Sequence, residues 1–423
     1  MTITTQVSPD TLDSAAVRPR DVRGEAGVLR VADDVAAFCA QNAAAVDYEG
    51  AFPVEEFALI ARSGLLAAPL HRTLGGFGVG SDKQQDSTLT LLRLLKKLGR
   101  GNLSVDRVYE GHVNALQLIQ TFGAPAQIER AAADARDRRK LFGVWNTEAA
   151  GGVRIIPAGD GRYHLKGAKT FTSGAGYVAR ALVPGALLES AADDAPVIGW
   201  QMCLVPMDEV RTEIDPSFWR PLGMRASASY RVLFDGVELS ADALIGQPND
   251  YYRQPWFSGG AIRFAAVQLG GAEALFDAAR DYLRELGRTG DPHQRARLGE
   301  AAILVEGGDL WLRGAASLFD AHAGLLANGA SEQPDVDDTA RRLVAYANMT
   351  RTAIERVCLD VMRLVERSVG ARGLLQPWPF ERIHRDLTVY LRQPAPDAAL
   401  DDVGAYALER TGASDTLWTD ESR

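Results

Sequence analysis

The sequence predicts an α+β chain in which a helical region, a small all-β region and a second helical region follow one another. Three observations carry this. Leucines recur at helical spacing in the first third, short runs alternate apolar and polar residues in the middle, and long stripes of helical period return after about residue 256.

The first region is bounded as 1–140. In "LTLLRLLKKLGRGN", Leu91, Leu94, Leu95 and Leu98 share one face and Gly99 offers a stop. "PVEEFALIARSGLLAAPL" reads as another helical stretch that breaks at the glycines of "LGGFGVG". The middle region, 141–247, reads as strands. "GDGRYHLKGAKTF" sets a Gly-rich turn before alternating residues, "VIGWQMCLVPM" is a short apolar run closed by Pro206, and "SYRVLFDGVEL" alternates Tyr230, Val232 and Phe234. Several short strands with turns between them predict a small barrel or sandwich. The third region, 248–423, returns to long helices. "RTAIERVCLDVMRLVERSVG" lines up Ile354, Val357, Val361 and Leu364 and ends at Gly370. "GEAAILVEGGDLWLRGAASLFDA" is a second long helix, and "ANGASEQPDVDD" reads as a loop or short linker between bundle helices. There is no internal repeat.

Composition narrows the function classes. The 423 residues are 46% hydrophobic and 24% charged, an ordinary globular balance. A net charge of −9 gives no bulk attraction to nucleic acid or anionic membrane. The basic residues between Arg130 and Lys140 have acids interleaved, so they read as a solvated helix face or loop. Cys39, Cys203 and Cys358 are far apart with no CxxC pair, which suggests neither a disulfide framework nor a zinc site and fits a reducing cytosol. The first residues carry no apolar run of signal-peptide type, and no stretch reaches the ~20 apolar residues of a membrane span. No GxGxxG follows a strand, so nothing suggests a nicotinamide site.

Over essentially its whole length the chain resembles the acyl-CoA dehydrogenase superfamily of flavoproteins. The resemblance rests on "LGGFGVG", "VWNTEAAGG" with "YHLKGAKTFTSGA", "PLGMRASASYRVLFDGVEL", "IRFAAVQLGGAEAL", and "RSVGARGL" with "PFERIHRDL", in that order and spacing. It implies an N-terminal helical domain, a middle β-barrel, a C-terminal four-helix bundle and a flavin, FAD with FMN as the alternative. It also implies a homotetramer or homodimer.

By this resemblance "WNTE" and "FTS" are two flavin-edge strands, contributing Trp145, Asn146, Thr147, Phe171 and Ser173. Phe171 takes the place of an aromatic covering one ring face, and Ser173 that of a hydroxyl near flavin N5. Arg288 falls where the family often carries a phosphate-binding Arg. Gln294, Gly370 and Gly373 match segments that reach the cofactor across a subunit boundary, although Ala371 and Arg372 depart from the usual pattern. Arg263 matches an Arg near the flavin and substrate pocket, with a structural ion pair as the alternative.

Two departures weigh against dehydrogenation. Counting on from Arg385 and Asp386, the catalytic Glu position is Pro394, which has no titratable group; Asp397 is the next acid along the chain. The loop written Glu-Pro-Gly-Ala-Gly-Ser in dehydrogenases is "EAAGGV" here. The monooxygenase branch of the superfamily, with its desulfurisation-type and phenol-type members, needs no carboxylate base. It needs a dry pocket with hydrogen-bond donors and reduced flavin from a separate reductase. His112, Asn146 and Ser173 match that branch, and Gln393 stands where its second His would be. The leading expectation is an oxygen-using monooxygenase acting on a small apolar or aromatic-like molecule. An acyl-CoA or acyl-carrier dehydrogenase with a displaced base is second, and a degenerate flavin-binding protein third.

Overall fold

The computed structural model describes residues 24–81, 87–148, 151–192, 194–327, 334–414 and 416–418. Among the described residues five α-helices come first: α1 (Glu25–Glu49), α2 (Val54–Arg62), α3 (Ser87–Gly101), α4 (Leu103–Phe122) and α5 (Pro125–Arg136). Two expected boundaries move. The stretch beginning at Pro53 leaves the helix at Arg62, because Gly64 adopts a left-handed φ of 83° and the chain tightens into a 3-10 turn. Gly99 does not stop α3, which runs on to Gly101. Its hydrogen is needed for packing instead, since a Cβ there would sit 2.5 Å from the Val267 carbonyl oxygen. The break falls at Asn102, whose side chain caps α4 by accepting from the amides of Ser104 and Val105.

Among the described residues the middle of the chain forms ten strands: β1 (Phe142–Val144), β2 (Arg154–Gly159), β3 (Arg162–Lys166), β4 (Ala168–Thr172), β5 (Arg180–Leu188), β6 (Val197–Pro206), β7 (Glu213–Asp215), β8 (Tyr230–Leu233), β9 (Val237–Ser240) and β10 (Leu244–Ile245). One sheet runs β10-β6-β5-β2-β3-β9 with β1 added parallel to β5, and the other runs β4-β8-β7. Together they make the half-barrel of the middle region. The alternation seen in sequence holds, with Val232 and Phe234 in the core and Tyr230 half-buried.

Five α-helices follow among the described residues: α6 (Trp256–Glu285), α7 (Pro292–Ala327), α8 (Pro334–Gly373), α9 (Phe380–Tyr390) and α10 (Pro396–Glu409). α6 packs against both α3 and α8, α7 and α10 lie along α8, and α9 crosses α6. The expected loop before α8 is shorter at its end than "ANGASEQPDVDD" suggests, because Pro334 already begins the helix; residues 328–333 lie outside the described residues. α8 is interrupted at Gly370, where φ is 60° and ψ −173°. Cys39, Cys203 and Cys358 are free and buried. Among the described residues no helix is long and apolar enough to cross a membrane, and no group of three or more His, Cys, Asp or Glu side chains could hold a metal ion.

Candidate active site

β1 leads directly into Trp145, Asn146 and Thr147, and this extended segment lies beside β4. The Thr170 amide donates to the Thr147 carbonyl at 3.0 Å, and Glu148 bridges to Lys169. Trp145 is buried and its Nε1 donates to the Ser173 carbonyl at 3.0 Å, which locks the two segments together. Asn146 Oδ1 accepts from Trp200 Nε1 at 3.1 Å. Thr147 is exposed. The motif neighbours Ala149 and Ala150 lie outside the described residues.

Phe171 carries a φ of 54°, a conformation that costs an aromatic residue of order 1–3 kcal/mol. The pairing of β4 with β8 shifts register between Lys169 and Thr172, and this irregularity turns Phe171 outward to 50% exposure. Phe218 and Trp219 meet its ring edge-on at 5.4 and 5.7 Å. Two residues on, Ser173 Oγ is 2.8 Å from Ser229 Oγ, which is 2.7 Å from Ser227 Oγ. The three buried hydroxyls form a chain in which each holds the next in orientation.

Lys169 is completely buried, and one carboxylate and one backbone carbonyl satisfy it. Its ammonium bonds the Asn146 carbonyl at 3.1 Å and the Glu148 carboxylate, and lies 4.9 Å from the centre of the Trp200 ring. Burial pulls its pKa down, and the Glu148 contact opposes this.

Three expected site residues are committed elsewhere. His112 lies in the core of α4, with Nε2 2.8 Å from the Leu66 carbonyl and Nδ1 accepting from the Phe142 amide at 3.0 Å. That pairing requires the proton on Nε2, and burial pushes the imidazole pKa down to about 4. Both ring nitrogens are used by backbone, so neither is free to donate to a ligand. The ring instead ties α4 to the start of β1. Arg263 is held against α4 by Gln117 at 2.7 Å, Asn114 at 2.6 Å and Glu110 at 3.4 Å, the ion-pair alternative of the sequence reading. Gln393 donates to the Tyr390 carbonyl at 2.8 Å, closing the end of α9. Pro394 and Asp397 are exposed.

At another place Gln294 meets the C-terminal part of α8, which holds Gly370 and Gly373. Gln294, near the start of α7, reaches the Ser368 carbonyl beside Gly370, while Arg288 is exposed on the preceding turn. Gln294 Oε1 is buried with no partner. At Gly373 a Cβ would lie 2.4 Å from Val369 Cβ, so the close packing of α8 on itself requires glycine there.

The described residues fit a flavin. A half-exposed aromatic shelf suits the face of a planar ring, and the orphaned Gln294 Oε1 is an acceptor in need of a donor such as a hydroxyl. The sequence reading did not single out Trp200, Lys169, Ser227 or Ser229. The serines lie in plain view in "ASASY", but nothing local reveals that they meet Ser173 across the sheet.

The Acyl-CoA dehydrogenase N-terminal domain matches residues 28–135 and the Acyl-CoA dehydrogenase C-terminal domain residues 262–392, together more than half of the chain. The protein belongs to the acyl-CoA dehydrogenase superfamily. Within it, full-length relatives include dibenzothiophene monooxygenases. That of Mycolicibacterium goodii is 25% identical over 390 residues, covering 86% of this chain and 89% of the relative. That of Rhodococcus erythropolis is 26% identical over 416 residues, covering 93% and 95%. In fold, the FMN-bound TdsC of Paenibacillus sp. A11-2 superposes with a TM-score of 0.79 at 22% identity, covering 93% of this chain and 100% of that one.

Proposed function

We propose that the protein is a flavin-dependent monooxygenase that uses dioxygen and receives reduced flavin from a separate reductase. The observation that carries this reading is the fate of the base position. Pro394 occupies it, and the acid nearest in sequence, Asp397, sits exposed in the first turn of α10. Glu110, the acid beside Arg263, is already bonded by the guanidinium groups of Arg107 and Arg263. This disfavours acyl-CoA dehydrogenation.

The flavin, FMN or FAD, supplies the redox chemistry that activates oxygen. Phe171 covers one ring face. Ser173, oriented by Ser229 and Ser227, supplies a hydrogen-bond donor, and Asn146 is fixed beside it by Trp200. Trp145 and Thr147 hold the ring edge, and His112 positions their strand. Arg288, Gln294, Gly370 and Gly373 serve the phosphate end across a subunit boundary in a homotetramer or homodimer, and the enzyme works in the cytoplasm. The division at residues 140 and 247 separates the helical, β and bundle domains. The TdsC structures support FMN and a small aromatic ligand, since one of them contains FMN and indole.

The test is to mix protein loaded with reduced flavin with oxygen and small aromatic compounds. Oxygenated product is the expected result. Steady reduction of an artificial electron acceptor by acyl-CoA, without oxygenation, would overturn it.

A further inference from the structure

Next to the flavin-edge strand the structure places an aromatic wall that ends on a cluster of charges. Trp200, already bonded to Asn146, lies 6.3 Å from the Tyr252 ring, which lies 5.0 Å from Phe257. Tyr252 and Phe257 are each 43% exposed. Tyr251 joins this wall to the charges, because its ring packs on both of those side chains while its hydroxyl feels Glu110, Arg107 and Arg263.

The cluster is unbalanced. Arg107 bonds Glu110 at 3.0 Å, and Arg263 bonds the same carboxylate at 3.4 Å. One carboxylate therefore serves two guanidiniums, and the hydrogen bond described for Arg107 leaves most of its N–H donors unused. Asp106 does not restore the balance. It is 0% exposed and neither carboxyl oxygen has a hydrogen-bond partner. Burial first, and then Glu110, raise its pKa well above the ordinary value; the Gly99 amide opposes this without reaching hydrogen-bond geometry. The Tyr390 hydroxyl, in the field of Arg107 and Glu110, is likewise buried without a partner. Arg107 stands close to the reacting strand, since a Cβ on Gly111 would be 3.7 Å from Arg107 Nη1 and 3.9 Å from the Val144 amide nitrogen.

We propose that the substrate is a planar aromatic molecule bearing an anionic group, its ring along Trp200, Tyr252 and Phe257 and its anion toward Arg107 and Tyr390. Unpaired donors and net positive charge at the end of an apolar wall select such a molecule over a neutral hydrocarbon of the same shape. This assignment rests on reading the neighbouring strand as the oxygenation site.

The experiment is calorimetric titration of the protein with naphthalene-2-carboxylate and with naphthalene-2-carboxamide, a neutral compound of nearly equal size. The carboxylate should bind at least about ten-fold more tightly. Arg107→Gln should abolish that preference while leaving carboxamide affinity unchanged, and Arg107→Lys should retain part of it. Equal or tighter binding of the carboxamide, a preference that survives Arg107→Gln, or binding of neither compound would overturn the proposal. Calorimetry requires no flavin, so its failure is distinct from failure of the monooxygenase reading, which is recorded as absent flavin uptake or absent oxygen consumption.

Discussion

His112 and Ser173 are held in different ways, His112 by backbone on both ring nitrogens and Ser173 by the Ser229 hydroxyl. The imidazole is neutral because burial penalises its charged form, with a folded pKa of about 4 against about 6.5 for a free histidine. The unfolded chain therefore binds the proton more readily between these values. The folding stability contributed by His112 is complete above pH 6.5 and is lost as pH falls toward 4, by about 3 kcal/mol. Urea unfolding of wild type and His112→Gln should show a stability gap that shrinks by that amount across the window; a pH-independent gap would refute the assignment. Ser173 acts at the other end of the strand pair. Ser173→Ala removes the terminal hydroxyl of a buried chain of three, at a cost of about 1–3 kcal/mol in any hydrogen bond it makes to the reacting oxygen. Hydrogen peroxide should be released roughly ten-fold faster, so that its yield per flavin oxidised rises, with flavin affinity nearly unchanged. An unaltered peroxide yield would remove Ser173 from the site.

At the scale of elements, the helices meet so closely that glycine decides their approach. Gly99 on α3 faces the Val267 carbonyl of α6, and reciprocally a Cβ on Gly270 would fall 2.2 Å from the Lys96 carbonyl oxygen. Backbone cannot yield as a side chain tip can. Gly99→Ala should lower stability by roughly 1–3 kcal/mol, measurable as a fall in Tm, whereas an unchanged Tm would mean that the helices separate freely. α9 is fastened by the pair that resembles the start of a catalytic loop. Arg385 bonds Asp47 at 2.7 Å and Glu381 at 2.8 Å, while Asp386 accepts from the Met224 amide at 2.6 Å. These contacts join α1, α9 and the turn before β8. Arg385→Met removes the hydrogen-bonded partner of the mostly buried Asp47 and should lower stability to urea by roughly 3 kcal/mol.

At the scale of the whole molecule, apolar side chains remain on the outer face of the bundle. Ile303 is 75% exposed and Leu310 58% exposed on α7. Such exposure suits burial against a second copy, in line with the proposed homotetramer or homodimer. Light scattering should return a multiple of the chain mass, and Ile303→Asp should shift it downward. A monodisperse monomer would remove both the assembly and the cross-subunit role of Arg288 and Gln294.

The sequence by itself determined the order helix, sheet, helix, because periodicity and turn residues are local properties that tertiary packing rarely reverses. The resemblance of "WNTE" and "FTS" to paired strands set Trp145, Asn146, Phe171 and Ser173 on neighbouring segments, and the bond from Trp145 Nε1 to the Ser173 carbonyl joins those segments in the structure. What the sequence could not contain was the partner of each side chain. That Asn146 is held by Trp200, 54 positions away in the chain, and Ser173 by Ser229, 56 positions away, is decided by how the sheets fold over one another. Only the tertiary structure committed His112 and Arg263 to packing and brought Arg107 close to the end of β1. Whether a polar atom is free or already bonded depends on neighbours that no local pattern specifies.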